Sequence, residues 1–373
     1  MRTVRRLLYA DVLGAVTFVA VSFLSLFFFI DFVEELDDIG RGAYRVHHAA
    51  LYCLLELPGR LYELLPIAVL IGTIYAMARL AQSSEFTILR TGGLGPGRAL
   101  SLLAKLGLAF AVLTFVVGDY VGPYFDAKAQ TLRSTLRGSA SGGGNNSAWL
   151  KDRRAAAPGE LPAGERIDSI NVGNVGPDGL LDDVRIYEFS EDGQLLARVA
   201  AEHAVVEDGA WRLKKVRLTR WHAASGDGLP VDERRDELRW PTRLTPSVVG
   251  AAVSPLKSMS TVDLYRYMSH LSQNEQAAQR QEIQFWKKAL YPLACLVMVG
   301  LALPFAYLHA RAGGVSVKVF GGILLGISFV LLNNVSTHLG LLRDWTPWIA
   351  AAAPGAFYLL LSMAAFSWLV RYR

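Results

Sequence analysis

The sequence predicts a membrane protein of six α-helical spans, with both termini cytoplasmic and one all-β domain inserted after the third span. Three observations carry this. Of 373 residues, 52 % are hydrophobic and mean hydropathy is +0.28, too apolar for an ordinary soluble protein, while 19 % charged residues is too many for a chain lying wholly in lipid. Long apolar runs occupy both ends of the chain, with Lys and Arg clustered beside them. Between residues 124 and 259 the texture changes to short alternations of apolar and polar residues.

Residues 12–30 form an uncharged run of 19, long enough as a helix to cross a hydrocarbon core of about 30 Å. No small-residue cleavage site follows, so the run reads as a retained span and not a signal peptide. Arg2, Arg5 and Arg6 precede it, and Asp31, Glu34, Glu35, Asp37 and Asp38 follow, which places the amino terminus in the cytoplasm. A second stretch runs from about 49 to 78, interrupted by Glu56, Arg60 and Glu63, with Pro58 and Pro66 expected to bend it. The third span covers about 99–121, with Lys105 snorkelling near its inner end and Asp119 and Pro123 marking its outer boundary. Three more spans are expected at about 289–310, 315–339 and 347–370. Ten Lys and Arg residues then lie on the inner side, opposed there by Asp11 and Glu85. The net charge of +5 therefore reads as membrane orientation and not as a nucleic-acid surface.

The middle region reads as β-strands on the far side of the membrane. Ile167-Asp-Ser-Ile-Asn-Val172, Val184-Arg-Ile-Tyr-Glu-Phe189 and Leu195–Ala201 alternate, and Asp192-Gly193 and Asp208-Gly209 give hairpin signals between such runs. Ser139–Ser147 is a loose linker, and its Asn145-Asn146-Ser147 fits a glycosylation pattern too short to be specific. Ser260-Thr-Val-Asp263 resembles a capping box that opens an amphipathic helix through Tyr265, Met268 and Leu271 and on to Phe285 and Trp286. The expected domains are 1–123, three spans with a cytoplasmic helix at about 83–92; 124–259, the β-domain; and 260–373, the connector helix and last three spans.

The segment Arg79–Gly93 organises the rest. Ser83 or Ser84 can act as N-cap, Glu85 suits the first turn of a helix, and Gly92-Gly93 can close it. Two readings of the resulting short helix stand: it lies on lipid, or it docks into a partner through Phe86, Ile88 and Leu89. The other inner loop, 309–318, has nothing comparable to fill a groove.

Catalytic chemistry is not expected. Gly92-Gly-Leu-Gly-Pro-Gly97 lacks a phosphate-gripping Lys, and Pro96 removes an N–H donor, so the chain should neither bind a nucleotide cofactor nor hydrolyse one. His47-His48 has no third ligand at helical spacing, so no metal is expected, and Ser, His and Asp residues form no nucleophile elbow. Cys53 and Cys295 should be free thiols. Lys128, Arg133 and Arg137 follow the third span, the last two sharing a helical face, where they can pair with lipid phosphates or snorkel generically. Asn333, Asn334 and His338 are expected to hydrogen-bond between helices.

Phe32-Val-Glu-Glu-Leu36 with Gly40-Arg-Gly42, Leu80-Ala-Gln-Ser-Ser-Glu85 with Gly93, Gly118-Asp-Tyr-Val-Gly-Pro123, and Trp286-Lys-Lys with Pro292 together resemble the LptF/LptG family, permeases of the lipopolysaccharide export ABC transporter. The resemblance spans essentially the whole chain, and Ala-Gln-x-Ser-Glu is its most specific stretch. It implies a periplasmic β-jellyroll and a multi-pass subunit of the bacterial inner membrane that extracts lipopolysaccharide and passes it onward. It also implies an LptF-type sister permease as heterodimer partner, an LptB-type ATPase dimer that binds ATP and Mg, an LptC-type bitopic protein and an LptA-type periplasmic bridge. By position, Glu85, Phe86, Leu89 and Arg90 would couple to the ATPase, and Arg133 would face lipid phosphates. The chain departs from the family where members can carry lysines, holding Asp31, Asp37 and Asp38. Either divalent cations bridge acid and lipid there, or the phosphate contacts have moved to Lys128, Arg133 and Arg137, the reading favoured because it needs no extra component. Alternatives are an LptF-type subunit, a permease for another amphiphilic lipid, and a non-transporting scaffold for envelope assembly.

Overall fold

In a lipid environment every backbone polar group needs an internal partner, so the apolar runs fold as continuous helices. The computed structural model describes residues 2–40, 42–83, 95–137, 148–155, 165–175, 180–207, 210–221, 230–242, 244, 248–249, 258–273, 278–307 and 314–372. Helix α1 spans Arg2–Glu35 and runs into a single 3₁₀ turn, Leu36–Asp38; α2 spans Val46–Gln82 and α3 Pro96–Val116. A π-turn, Val117–Val121, joins α3 to α4, Gly122–Arg137. After six strands come α5 (Thr261–Gln273), α6 (Gln279–Tyr307), α7 (Val315–Leu342) and α8 (Pro347–Tyr372). Among the described residues six helical segments are long and apolar enough to span a membrane.

The chain divides into two compact units, Met1–Arg133 with Glu282–Arg373, and Ser134–Gln281. The first division lies ten residues beyond the boundary expected at 124. Asp119 and Pro123 do not end the third span, because α4 continues helical through the π-turn with Pro123 in its first turn. The π-turn is where α3 and α4 press on α2: a Cβ at Gly118 would stand 2.3 Å from the Tyr62 ring.

In the helical unit α2 is central, with 78 % of its most apolar window buried against 17 % for α1. Its Pro58 and Pro66 lie inside an unbroken helix. The core joins Val12, Val16, Val69, Met77, Leu103, Phe110, Cys295 and Val299. Both cysteines are free and buried, as expected. Ser83 caps the carboxyl end of α2, its N–H donating to Arg79 O, and so belongs to that helix and not to the next. Asn333 Nδ2 donates to Phe329 O and His338 Nδ1 bonds Asn334 O, both within α7, so these groups are satisfied inside their own helix. Bonds between helices come instead from Ser336 Oγ, which donates to Ala350 O of α8, and from the Tyr358 hydroxyl of α8, which donates to Leu325 O of α7.

The all-β expectation is met by β1 (Ala148–Ala155), β2 (Glu165–Val175), β3 (Leu180–Ser190), β4 (Leu195–Glu207), β5 (Ala210–Arg220) and β6 (Val231–Pro241), antiparallel and paired in sequence order. Asp192-Gly193 forms the β3–β4 turn, with Gly193 at φ +79°, while Asp208-Gly209 lies outside the described residues. A crease crosses the sheet. The inward residues step by two along each strand but by three at Leu181–Val184 on β3, Ala201–Ala204 on β4 and Leu213–Val216 on β5. Asp183 and Lys215 take positive φ on this line, and the ladder skips them. The slip bends the sheet, so that β6 folds back toward β1 and β2 over a core of Ile170, Ile186, Val199, Trp211 and Leu218.

The Ser260-Asp263 cap is present, Ser260 Oγ accepting from Asp263 N at 3.1 Å. The connector helix it opens ends at Gln273, and Phe285 and Trp286 belong to α6.

Candidate functional site

Acidic residues at positions 31, 34, 35 and 38 recur at helical spacing, so α1 and its 3₁₀ turn carry them on one face. On α2, Tyr52, Glu56 and Arg60 are four apart and share a face in the same way. These two faces and Arg133 of α4 line a recess of about 290 Å³. Aromatic and aliphatic packing of Phe28, Phe32, Tyr52, Cys53, Ala129 and Leu132 holds the three helices together beside it.

Two clasps cross the recess. Arg60 pairs bidentately with Asp31, Nε to Oδ2 at 3.0 Å and Nη2 to Oδ1 at 2.7 Å. Arg133 donates from Nη2 to Asp38 Oδ2 at 2.8 Å, ion-pairs through Nε with Glu35 Oε1 at 3.3 Å, and lies over the Tyr52 ring at 5.2 Å. The Tyr52 hydroxyl donates to Glu56 Oε1 at 2.6 Å. Tyr44, just before α2, donates to Glu35 Oε1 at 3.1 Å. Burial, and then the Glu35 carboxylate beside it, hold the Tyr44 hydroxyl above the ordinary tyrosine value, so it stays a donor.

Five carboxylates (Asp31, Glu34, Glu35, Asp38 and Glu56) face two guanidiniums, so the recess carries a formal charge of −3. Such a field repels phosphate. Arg133 is therefore committed to the acids of α1. Lys128 stands apart on an exposed face with its ammonium 4.5 Å from the Tyr124 ring, and the side chain of Arg137 lies outside the described residues. Asp37 is exposed and does not line the recess, while Asp31 and Asp38 do. Glu35, Tyr52, Glu56 and Arg60 escaped sequence reasoning as site residues: Glu35 reads there only as an outer acid that sets topology, Glu56 and Arg60 as interruptions of an apolar run, and Tyr52 draws no notice; the four-residue spacings were the available signal. Glu85, Phe86, Leu89 and Arg90 lie outside the described residues. Among the described residues no three acidic, His or Cys side chains converge in a way that could hold a metal ion.

A family model described as lipopolysaccharide export system permease LptF/LptG matches residues 6–370. The lipopolysaccharide export system permease protein LptG of Haemophilus influenzae is 26 % identical over 367 residues, 97 % of each chain. The protein of the same name from Escherichia coli is 26 % identical over 357 residues, 91 % of each chain. With a six-helix membrane unit interrupted by an antiparallel β-domain and a family match across nearly its whole length, the chain belongs to the LptF/LptG family of lipopolysaccharide export permeases.

Proposed function

We propose that this chain is the LptG-type half of a permease that extracts lipopolysaccharide from the bacterial inner membrane and passes it to an LptA-type periplasmic bridge. The family match over residues 6–370, on a chain with six spans and an inserted sheet, carries the reading, and the likeness to proteins named LptG favours that half over LptF. An LptF-type subunit completes the permease, an LptC-type bitopic protein packs beside it, and the β-domain stands in the periplasm. Energy enters from an LptB-type ATPase dimer carrying ATP and Mg. It reaches this subunit through residues 83–92, where Glu85 and Arg90 make polar contacts and Phe86 and Leu89 fill a groove. This chain supplies no catalytic residue. Acyl chains contribute about 0.8 kcal/mol per buried CH₂, and head-group phosphates meet Arg137 and Lys128, the latter outside the negative recess.

The test is co-purification. The chain assembled with its sister permease should carry lipopolysaccharide identifiable by mass spectrometry, and should capture the ATPase unless Glu85 is changed to Lys or Phe86 to Ala. Recovery of another amphiphile would replace the substrate. ATPase capture indifferent to both substitutions would favour the scaffold reading, because a scaffold has no need of that contact.

A further inference from the structure

The inner face of the β-sheet is apolar along most of its length and turns ionic at one end. There Asp152 of β1, Asp168 of β2 and Glu188 of β3 stand directly opposite one another in the ladder, with Arg154 and Arg166 opposite each other in the next row. Asp152, Asp168, Arg166 and Glu188 are all buried. Arg154 Nε lies 3.2 Å from Asp168 Oδ2 and its Nη2 reaches Glu188, while Arg166 pairs with Glu188 at 3.8 Å. Three buried carboxylates thus stand side by side in the ladder next to Arg154 and Arg166, where their mutual repulsion is little screened by water.

This end of the sheet is also where the curl closes. Trp240 of β6 donates its indole N–H to Asp168 Oδ2 at 3.0 Å, and Thr242, just past β6, donates to Asp152 Oδ2 at 2.6 Å. Among the described strands β1 and β6 are opposite edges with no ladder between them, so side chains bridge the seam where backbone does not. Arg154 lies over the Trp240 ring at 5.2 Å. Asp168 Oδ2 thus receives both the indole and the guanidinium, while its buried Oδ1 has no hydrogen-bond partner among the described residues.

We propose that Asp168 is a proton-controlled latch on the seam between β6 and the β1–β2 edge: its neutral carboxyl favours the closed sheet, and its carboxylate favours parting of β6, which would hydrate it. Burial, the largest influence, and then Glu188 push its pKa up, partly opposed by Arg154 and the Trp240 hydrogen bond, and the result is about 6. In an opened seam the group returns to about 4. The closed state therefore binds more protons between pH 4 and 6. The neutral carboxyl's contribution to closure is complete below about 4, is lost as pH rises through 6, and is absent at 7. Among the described residues the facing groups are Asp152 and Arg154 on β1, Arg166 on β2, Glu188 on β3, and Trp240 with Thr242 at the end of β6.

Hydrogen exchange of peptides covering β1, β2 and β6, in the full chain in detergent and corrected for intrinsic rates, tests this. Protection should rise about tenfold from pH 7 to pH 5. Asp168→Asn should be at least as protected at pH 7 as the unaltered chain at that pH and should show no such slope. An equal slope in both proteins overturns the latch. Should Asp168→Asn fail to fold, the carboxyl carbon of Asp168 can be titrated by NMR in the unaltered chain and in Trp240→Phe. Loss of the indole donor should move a midpoint near 6 upward; a midpoint near 4, or one that does not move, also overturns the proposal.

Discussion

Arg133 illustrates what a residue's neighbours decide. Its position after the third span suits a lipid phosphate, yet its guanidinium is taken by Glu35 and Asp38 in a recess of net charge −3. Arg133→Gln is therefore expected to lower the melting temperature of the chain in detergent free of lipopolysaccharide, by an amount on the order of 1–2 kcal/mol given its partial exposure. A residue serving only as a phosphate contact would leave that temperature unchanged. Arg60→Met should cost on the order of 2 kcal/mol, because the buried Asp31 carboxylate loses both hydrogen bonds, and Asp31→Asn in the same chain should recover part of the loss in a double-mutant cycle.

At the scale of elements, the third helix and the crease in the sheet each depend on local departures from ideal geometry. The π-turn at Val117–Val121 lets α4 run on beside α2 and bring Arg133 to the recess. Gly118→Ala puts a methyl 2.3 Å from the Tyr62 ring, and backbone or ring must move. The expected cost is about 1–3 kcal/mol, read as thermal destabilisation, with partial recovery on adding Tyr62→Leu. Ser260→Ala should cost about 1 kcal/mol through loss of the α5 cap, measurable by denaturation of the full chain. The helices were legible because a run of 19 uncharged residues has few other ways to satisfy its backbone in lipid. The π-turn was not. Gly118-Asp-Tyr-Val-Gly-Pro123 reads locally as a terminus, and its close packing against Tyr62 and Gly59 of α2 is visible only in the folded chain.

For the whole molecule, the two free cysteines report on the cooperativity of the helical unit. Cys53 lies in the packing beside the recess and Cys295 in the main helical core. Both thiols should resist maleimide in the folded chain and become reactive together on unfolding, followed by mass spectrometry; early labelling of Cys53 alone would mean that the recess end opens separately. By itself, the amino-acid sequence determined the number of spans, the presence and class of the inserted domain, and the family, because these follow from run length, period and order along the chain. Only the tertiary structure decided which charges are spent on one another. Spacing places Asp31, Glu34, Glu35 and Asp38 on one face of α1 but says nothing of Arg60 and Arg133 arriving from helices some 29 and 95 residues away. Alternation likewise turns Arg166 and Asp168 to the face of Ile170 and Val172. That this end of the face is dry, and that burial raises the Asp168 pKa to about 6, follows from Trp240 folding back across the crease, since the cost of a buried charge depends on everything packed around it.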